Sequence, residues 1–239
     1  MKNVYLMGDI HGLASNFNFR VRQYIDNPSE NDIIICLGDA GLEYGNCVQG
    51  SLKKAMYRFP GQVYIMRGNH DNRYWEQHQD QWIVQDNLMY QKKYDNIKYI
   101  RDEGDILSIN GQNILFIPGA YSIDKDYRLN HNLPYEFKEQ LNYLEMCDLY
   151  DKAAATHIDY VISHTAPLCT QHCYKDLFLS FIDQSQVDKT TEKFLDEVYD
   201  LVKNNVKHWY FGHYHDDRNF SPNFTMLYSQ VVKLGESVE

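Results

Sequence analysis

The sequence has little cysteine, little proline and no long apolar run. Its 239 residues include five cysteines and six prolines. Cys36, Cys47, Cys147, Cys169 and Cys173 are odd in number and scattered, which argues against a disulfide framework and for ordinary thiols. No apolar stretch reaches the roughly 18 residues of a membrane span, and the short apolar start meets Gly8 and Asp9 before a signal-peptide core can form. A cytoplasmic protein with no membrane partner is the expectation. Basic charge is short as well: 23 Lys and Arg face 33 Asp and Glu, a net charge of −10. That balance disfavours extensive nucleic-acid binding. A glycine-rich nucleotide loop, a nucleophilic serine elbow and a C-x-x-C pair are all missing.

What is present is a repeated unit. Val4 to Met7 ends in Gly8-Asp9, Ile33 to Leu37 in Gly38-Asp39, and Val63 to Met66, after Arg67, in Gly68-Asn69. Each run is short, continuous and rich in Val and Ile, as a buried parallel strand should be. Asp9, Asp39 and Asn69 are spaced 30 residues apart, which suits strand, crossover helix and next strand. Helices are predicted between them, over Phe17 to Ile25 and from Leu52 to Phe59. The polar residues then fall at the carboxyl ends of adjacent strands, where open α/β sheets bind ligands.

The second half predicts short strands at Tyr99-Ile100, Ile106 to Ile109 and Ile114 to Pro118, with a hairpin turn at Asn110-Gly111. Helices are expected from about Tyr135 to Leu149, with Phe137, Leu141, Leu144 and Met146 as its apolar side, and over Glu192 to Val202. Tyr160 to Ser163 and Val206 to Phe211 read as strands leading to His164 and to Gly212-His213-Tyr214-His215. Met226 to Val232 reads as one last strand. Pro167 to Thr190 has the least pattern and reads as a lid or insertion. No linker divides the chain, so residues 1–239 read as a single α/β domain.

Five strand ends thus carry metal-ligand chemistry: Asp9 and His11, Asp39, Asn69 with His70, His164, and His213 with His215. Residues i and i+2 of an extended segment face the same way, so Asp9 with His11 and His213 with His215 can each serve one centre. The preceding glycines are expected to let the backbone turn sharply. Two divalent ions held by these mixed N/O ligands with a hydroxide leave a net charge of about +1, which attracts a phosphate oxyanion. Such ions, roughly 3.5–4 Å apart, can share a hydroxide nucleophile. Nitrogen and oxygen ligands suit Mn, Fe, Zn or Ni.

These motifs, Gly8-Asp9-Ile10-His11-Gly12, Gly38-Asp39, Gly68-Asn69-His70-Asp71, Ser163-His164 and Gly212-His213-Tyr214-His215, resemble the calcineurin-like metallophosphoesterases. The likeness is to small single-domain bacterial or phage members, related to serine/threonine protein phosphatases. It implies a four-layer α/β/β/α sandwich with two central mixed sheets. It implies two divalent metal ions, Mn foremost: one on Asp9, His11, Asp39 and His215, the other on Asn69, His164 and His213, with Asp39 bridging. It implies in-line attack by a metal-bridging hydroxide, with His70 as the acid that protonates the leaving oxygen or else as a group that stabilises the transferring phosphoryl.

One departure stands out. Phosphoprotein phosphatases continue the second motif as Gly-Asp-x-x-Asp-Arg-Gly, whereas here Leu42 takes the second Asp position and no Arg follows. Glu43 or Asp71 could replace the missing support of His70, although Asp71 by itself reads as a solvent-facing acid or helix cap. Arg67, Arg73, Tyr121, Lys125 and Arg128 are the candidate substrate contacts. Cys169-Thr170-Gln171-His172-Cys173 offers three ligands but no fourth, so ordinary thiols are expected there.

The expectation is a dinuclear phosphoester hydrolase, acting as a phosphomonoesterase on a small phosphate ester or a phosphoprotein. The alternatives are a phosphodiesterase or nuclease acting on nucleotides or nucleic acid, and a non-catalytic metal-organised binding protein.

Overall fold

A computed structural model describes residues 1–45, 47–78 and 82–238, with only the backbone of Cys47. Two mixed sheets stack face to face, with helices on both outer faces. The seven-stranded sheet runs Val231–Lys233, Asn3–Met7, Asp32–Leu37, Gln62–Met66, Ile97–Tyr99, Leu88–Tyr90, Ile83–Gln85. Its four strands from Asn3–Met7 to Ile97–Tyr99 are parallel, with antiparallel strands at both edges. The six-stranded sheet runs Arg218–Phe220, Phe224–Met226, His208–Phe211, Tyr160–Ser163, Gln112–Ile117, Asp105–Ile109. It too has four parallel strands between antiparallel edges. A short hairpin pairs Glu43–Tyr44 with Cys47–Val48.

The all-buried strand Asp32–Leu37 shows why its sequence has no polar alternation. Ile34 and Cys36 face an outer core with Phe17, Leu52 and Met56 of the helices Ala14–Tyr24 and Gly50–Tyr57. Ile33, Ile35 and Leu37 face the middle core, against Ile114, Phe116, Ile162 and Tyr210 of the other sheet. Apolar cover on both faces demands a continuous run. The third core lies under the helices Tyr143–Ala154 and Thr190–Val202, where Leu149, Phe194, Leu195 and Val198 meet Val161, Trp209 and Phe211. The hairpin turn at Asn110-Gly111 forms as expected, with both residues at positive φ.

Two expectations need correction. The helix read from Tyr135 begins only at Tyr143, because Asn142 caps it: its side chain accepts from the Leu144 and Glu145 amides while Glu145 accepts from the Asn142 amide. Phe137 and Leu144, assigned to an apolar face, are 77% and 76% exposed. The single strand read over Met226 to Val232 is two strands, Phe224–Met226 in one sheet and Val231–Lys233 in the other. Pro167 to Thr190 contains two 3₁₀ turns, Leu168–Cys173 and Lys175–Leu177. Among the described residues no helix is long and apolar enough to cross a membrane. Cys36, Cys147, Cys169 and Cys173 are free thiols, and the side chain of Cys47 lies outside the described residues.

Candidate metal centre

Three neighbouring strands of one sheet end at Met7, Leu37 and Met66, and two neighbouring strands of the other end at Ser163 and Phe211. The loops that follow carry all seven predicted ligands to one place, stitched by backbone bonds. The amides of Ile10 and His11 donate to the Asp39 carbonyl, and the Gly212 amide donates to the His164 carbonyl. His11, Asp39, His213 and His215 all adopt left-handed backbone conformations, φ 48–70°. Such non-glycine residues are uncommon and concentrate where function over-determines the chain.

The glycines act differently from the sharp turning first expected. Gly8, Gly68 and Gly212 have no positive φ. A Cβ on Gly68 would lie 2.0 Å from Asp39 Oδ1, and one on Gly38 2.1 Å from His164 Nδ1. At these positions glycine clears room for a ligand from another strand, and only Gly38 also needs its φ of +102°.

The donor atoms converge in two groups, Asp9 with His11 and His215, and Asp9 with Asp39 and His164. In the first, the His11 and His215 Nε2 atoms are 2.9 Å apart, and Asp9 Oδ2 is 3.1 Å from the latter. That carboxylate oxygen is buried and has no hydrogen-bond partner. In the second, His164 Nδ1 donates to the Leu37 carbonyl at 2.9 Å, so the neutral ring turns its Nε2 lone pair toward the cluster. Nε2 lies 3.6 Å from Asp39 Oδ1 and 2.8 Å from Asn69 Oδ1, and His213 Nδ1 lies 3.0 Å from the same amide oxygen. Asp9 is common to both groups, whereas the resemblance gives the shared role to Asp39.

The local field favours positive charge. Burial alone would raise the Asp39 carboxyl, but His164, then His70 and His11, hold it below the ordinary carboxylate range. His164 is pushed up to about 9, against its burial, by Asp39 and Asp9. Burial pushes His213 down to about 3. An orphaned carboxylate oxygen, lone pairs facing one another and a field that stabilises cations fit divalent metal ions.

Several supporting side chains were not foreseen. Asn69 Nδ2 donates to Ser122 Oγ at 2.9 Å, and Ser122 donates onward to Glu139, which fixes Asn69 Oδ1 toward the histidines. Glu139 also accepts from the Ser122 amide and the Tyr135 hydroxyl. Arg20, buried behind the first loop, donates to the carbonyls of Gly8 and Asp9. Tyr228 stacks on His215 at 4.7 Å. Of these, only Arg20 left a sequence signal, a charge on the apolar side of a helix with Phe17, Val21 and Tyr24.

His70 Nδ1 is 3.3 Å from the Tyr44 hydroxyl, so Tyr44 stands beside it where Leu42 left no acid. Asp71 is fully buried rather than solvent-facing. It accepts from the Ala40, Gly41 and Gly68 amides and the Tyr74 hydroxyl, tying the second motif to the third. Burial, then Asp39, push its carboxyl up to about 6. Glu43 pairs with His78 at 2.9 Å and Lys53 at 3.4 Å.

A cavity of about 370 Å³ opens on the cluster, lined by Asp39, Asn69, His70, His213 and His215 and by residues of the 171–192 segment. The five basic and aromatic candidates lie apart from its lining. Arg67 is 1% exposed and donates to the Asp102 and Glu139 carbonyls. Arg73 forms a bidentate pair with Glu145 at 2.6 and 2.9 Å. Tyr121 and Lys125 line a second cavity of about 420 Å³. Arg128 pairs with Asp124 at 2.7 Å and lies over the Tyr44 ring.

Among solved structures, the chain is similar to a protein of unknown function from Aquifex aeolicus, at 13% identity and a TM-score of 0.44, covering 98% of this chain and 96% of that one. It is also similar to a candidate 5′-nucleotidase from Staphylococcus aureus, in complex with α-ketoglutarate, at 14% identity and a TM-score of 0.46. That match covers 96% of this chain but only 49% of the other. No curated protein matches. Residues 2–217 match the family described as calcineurin-like phosphoesterase. The chain belongs to that family, and its two ligand groups fit metal-dependent phosphoester hydrolysis.

Proposed function

We propose that the protein is a dinuclear metal-dependent phosphoester hydrolase that prefers phosphomonoesters. The buried Asp9 Oδ2, which has no hydrogen-bond partner and faces the His11 and His215 nitrogens, carries this reading, because three donor atoms converge there on one point. Asp9, His11, Asp39 and His215 would hold one divalent ion, and Asp39, Asn69, His164 and His213 the other. Mn is the first choice, with Fe, Zn or Ni compatible with the same donors. When bound, two such ions supply the nucleophile and the charge that balances the ester.

The chain's own residues orient and protonate. Leu37 fixes the His164 tautomer, and Ser122 fixes the Asn69 amide. His70 lines the cavity with Asp39, which supports its giving a proton to the leaving oxygen. Burial pushes its imidazole below the ordinary value, while Asp39 pulls it up, and an anionic ester beside it acts in the same sense as Asp39. Tyr44, kept neutral by burial, holds the other ring nitrogen.

The cavity's charge supports the monoester reading over a nucleic-acid one. Lys189 is the one Lys or Arg among its described lining residues, and its amine already donates to Gln171 at 2.9 Å. A polyanion needs a run of phosphate-neutralising cations. Metal-stripped protein reconstituted with Mn²⁺ should hydrolyse a chromogenic phosphomonoester faster than the matched diester. Faster diester turnover would reverse the preference. No metal-dependent turnover of either would favour a metal-organised binding protein.

A further inference from the structure

The cavity beside the metal centre has two unlike walls. One is the cluster itself. The other comes from the segment between the 3₁₀ turn Lys175–Leu177 and the helix Thr190–Val202, with Ile123 also lining the cavity. Leu177, Phe178, Leu179 and Val187 make this second wall largely apolar. Lys189 is engaged by Gln171, and its amine also lies 5.7 Å from the centre of the Phe178 ring.

Two carboxylates complete the wall. Glu192 is 4% exposed, and its Oε2 has no hydrogen-bond partner. Asp124 gives Oδ2 to Arg128 and leaves Oδ1 buried and unpartnered. A buried carboxylate oxygen without a donor is costly and gains from any donor brought to it. Asp124 is charge-paired with Arg128, so Glu192 is the acid whose free oxygen a guest would meet.

We propose that this wall is a leaving-group subsite for phosphomonoesters whose alcohol has an apolar body, with a hydroxyl or ammonium group accommodated at Glu192. This rests on the hydrolase reading and deepens it. The apolar side chains reward buried hydrocarbon area, and the free Glu192 oxygen rewards a donor at its far end. The 167–190 segment, without clear pattern in the sequence, thereby sets which ester is accepted while the strand ends hold the phosphorus.

Binding can be separated from turnover with non-hydrolysable phosphonates. Titration calorimetry of the Mn-loaded protein with methyl- to hexylphosphonate should show Kd falling about fourfold per added methylene until the cavity is filled. An ω-hydroxyl or ω-ammonium group on the six-carbon chain should not weaken binding. Val187→Asp should flatten the chain-length series, the slope rather than the absolute affinity being the readout. A flat series with wild-type protein, no binding of hexylphosphonate, or a loss of affinity with both the hydroxyl and the ammonium analogue overturns the subsite. If the series climbs but no phosphomonoester is hydrolysed, the subsite stands and the hydrolase reading falls.

Discussion

The two halves of the metal centre are built on different principles. On one side His11 and His215 reach the cluster on side chains 32% and 48% exposed, from residues held at positive φ. Ring stacking by Tyr228 steadies His215 from outside. On the other side Asp39, Asn69 and His164 are buried, and hydrogen bonds to Leu37 and Ser122 fix the last two. Left-handed backbone turns serve both halves, at His11 and His215 and at Asp39 and His213, but only the second has a dry hydrogen-bonded layer behind its ligands. A desolvated, pre-oriented ligand set loses less freedom on binding. The buried half should therefore hold its ion more tightly, and the open half should exchange its ion with solvent.

The strongest test of that difference acts where the halves meet. Asp39 touches both groups electrostatically, so Asp39→Asn should lower kcat on the order of 10³-fold and reduce bound metal in both positions. Loss of only one ion, measured by elemental analysis after dialysis, would assign Asp39 to one half and leave the shared role to Asp9. Next in size is Gly38→Ala. Its Cβ would enter the space of the His164 ring at a backbone φ of +102°. We expect a loss of roughly 1–3 kcal/mol in stability, read by denaturant unfolding, together with selective loss of the tighter ion. An unchanged midpoint would mean that the buried half relaxes more freely than its packing implies.

How much of this difference the sequence could show depends on distance along the chain. Strand ends and ligands were legible because each motif is contiguous, and because a buried parallel strand leaves a continuous apolar run before its polar end. The order of Asp9, Asp39 and Asn69 along adjacent strands followed from their even spacing. The layer behind the ligands was not legible. Ser122 and Glu139 lie 53 and 70 residues from Asn69, and nothing in Tyr121-Ser122-Ile123 marks a serine that serves an amide. Asp71 sits in the third motif, but its three backbone partners come from two loops that only the folded sheet brings together. The cap at Asn142 is written as Asn-x-x-Glu, a signal the reading from Phe137 and Leu144 did not use. Arg67 and Arg73 looked available for phosphate because exposure cannot be read from a flanking position.

The layer behind Asn69 gives a sharper test than any ligand substitution, since it leaves every donor atom in place. Ser122→Ala removes the hydroxyl that holds the amide nitrogen and leaves Glu139 without one of its donors. The amide is then free to turn its nitrogen toward His164 and His213, which offers no lone pair to a cation. Affinity for the tighter ion should fall by about 10- to 100-fold in a metal titration, with the looser ion unaffected. Ser122→Thr, which keeps the hydroxyl, should restore most of it. Equal weakening of both ions would erase the distinction between the halves.

The smallest effect belongs to the open half. The Tyr228 ring lies 4.7 Å from the His215 imidazole at 22° and is itself held in place, because its amide donates to Asp217 at 2.7 Å and Arg20 lies 5.5 Å from its centre. Tyr228→Leu keeps apolar bulk and removes the stacking plane. Aromatic pairs contribute about 0.5–1.5 kcal/mol beyond buried area, so the looser ion should weaken roughly two- to tenfold. Its exchange rate should rise while the tighter ion stays bound. The pairing of Ser122→Ala with Tyr228→Leu is then a crossed experiment in which each variant moves one ion. If Tyr228→Leu releases the tighter ion instead, the hydrogen-bonded layer is not what retains it, and the stacked surface histidine governs both.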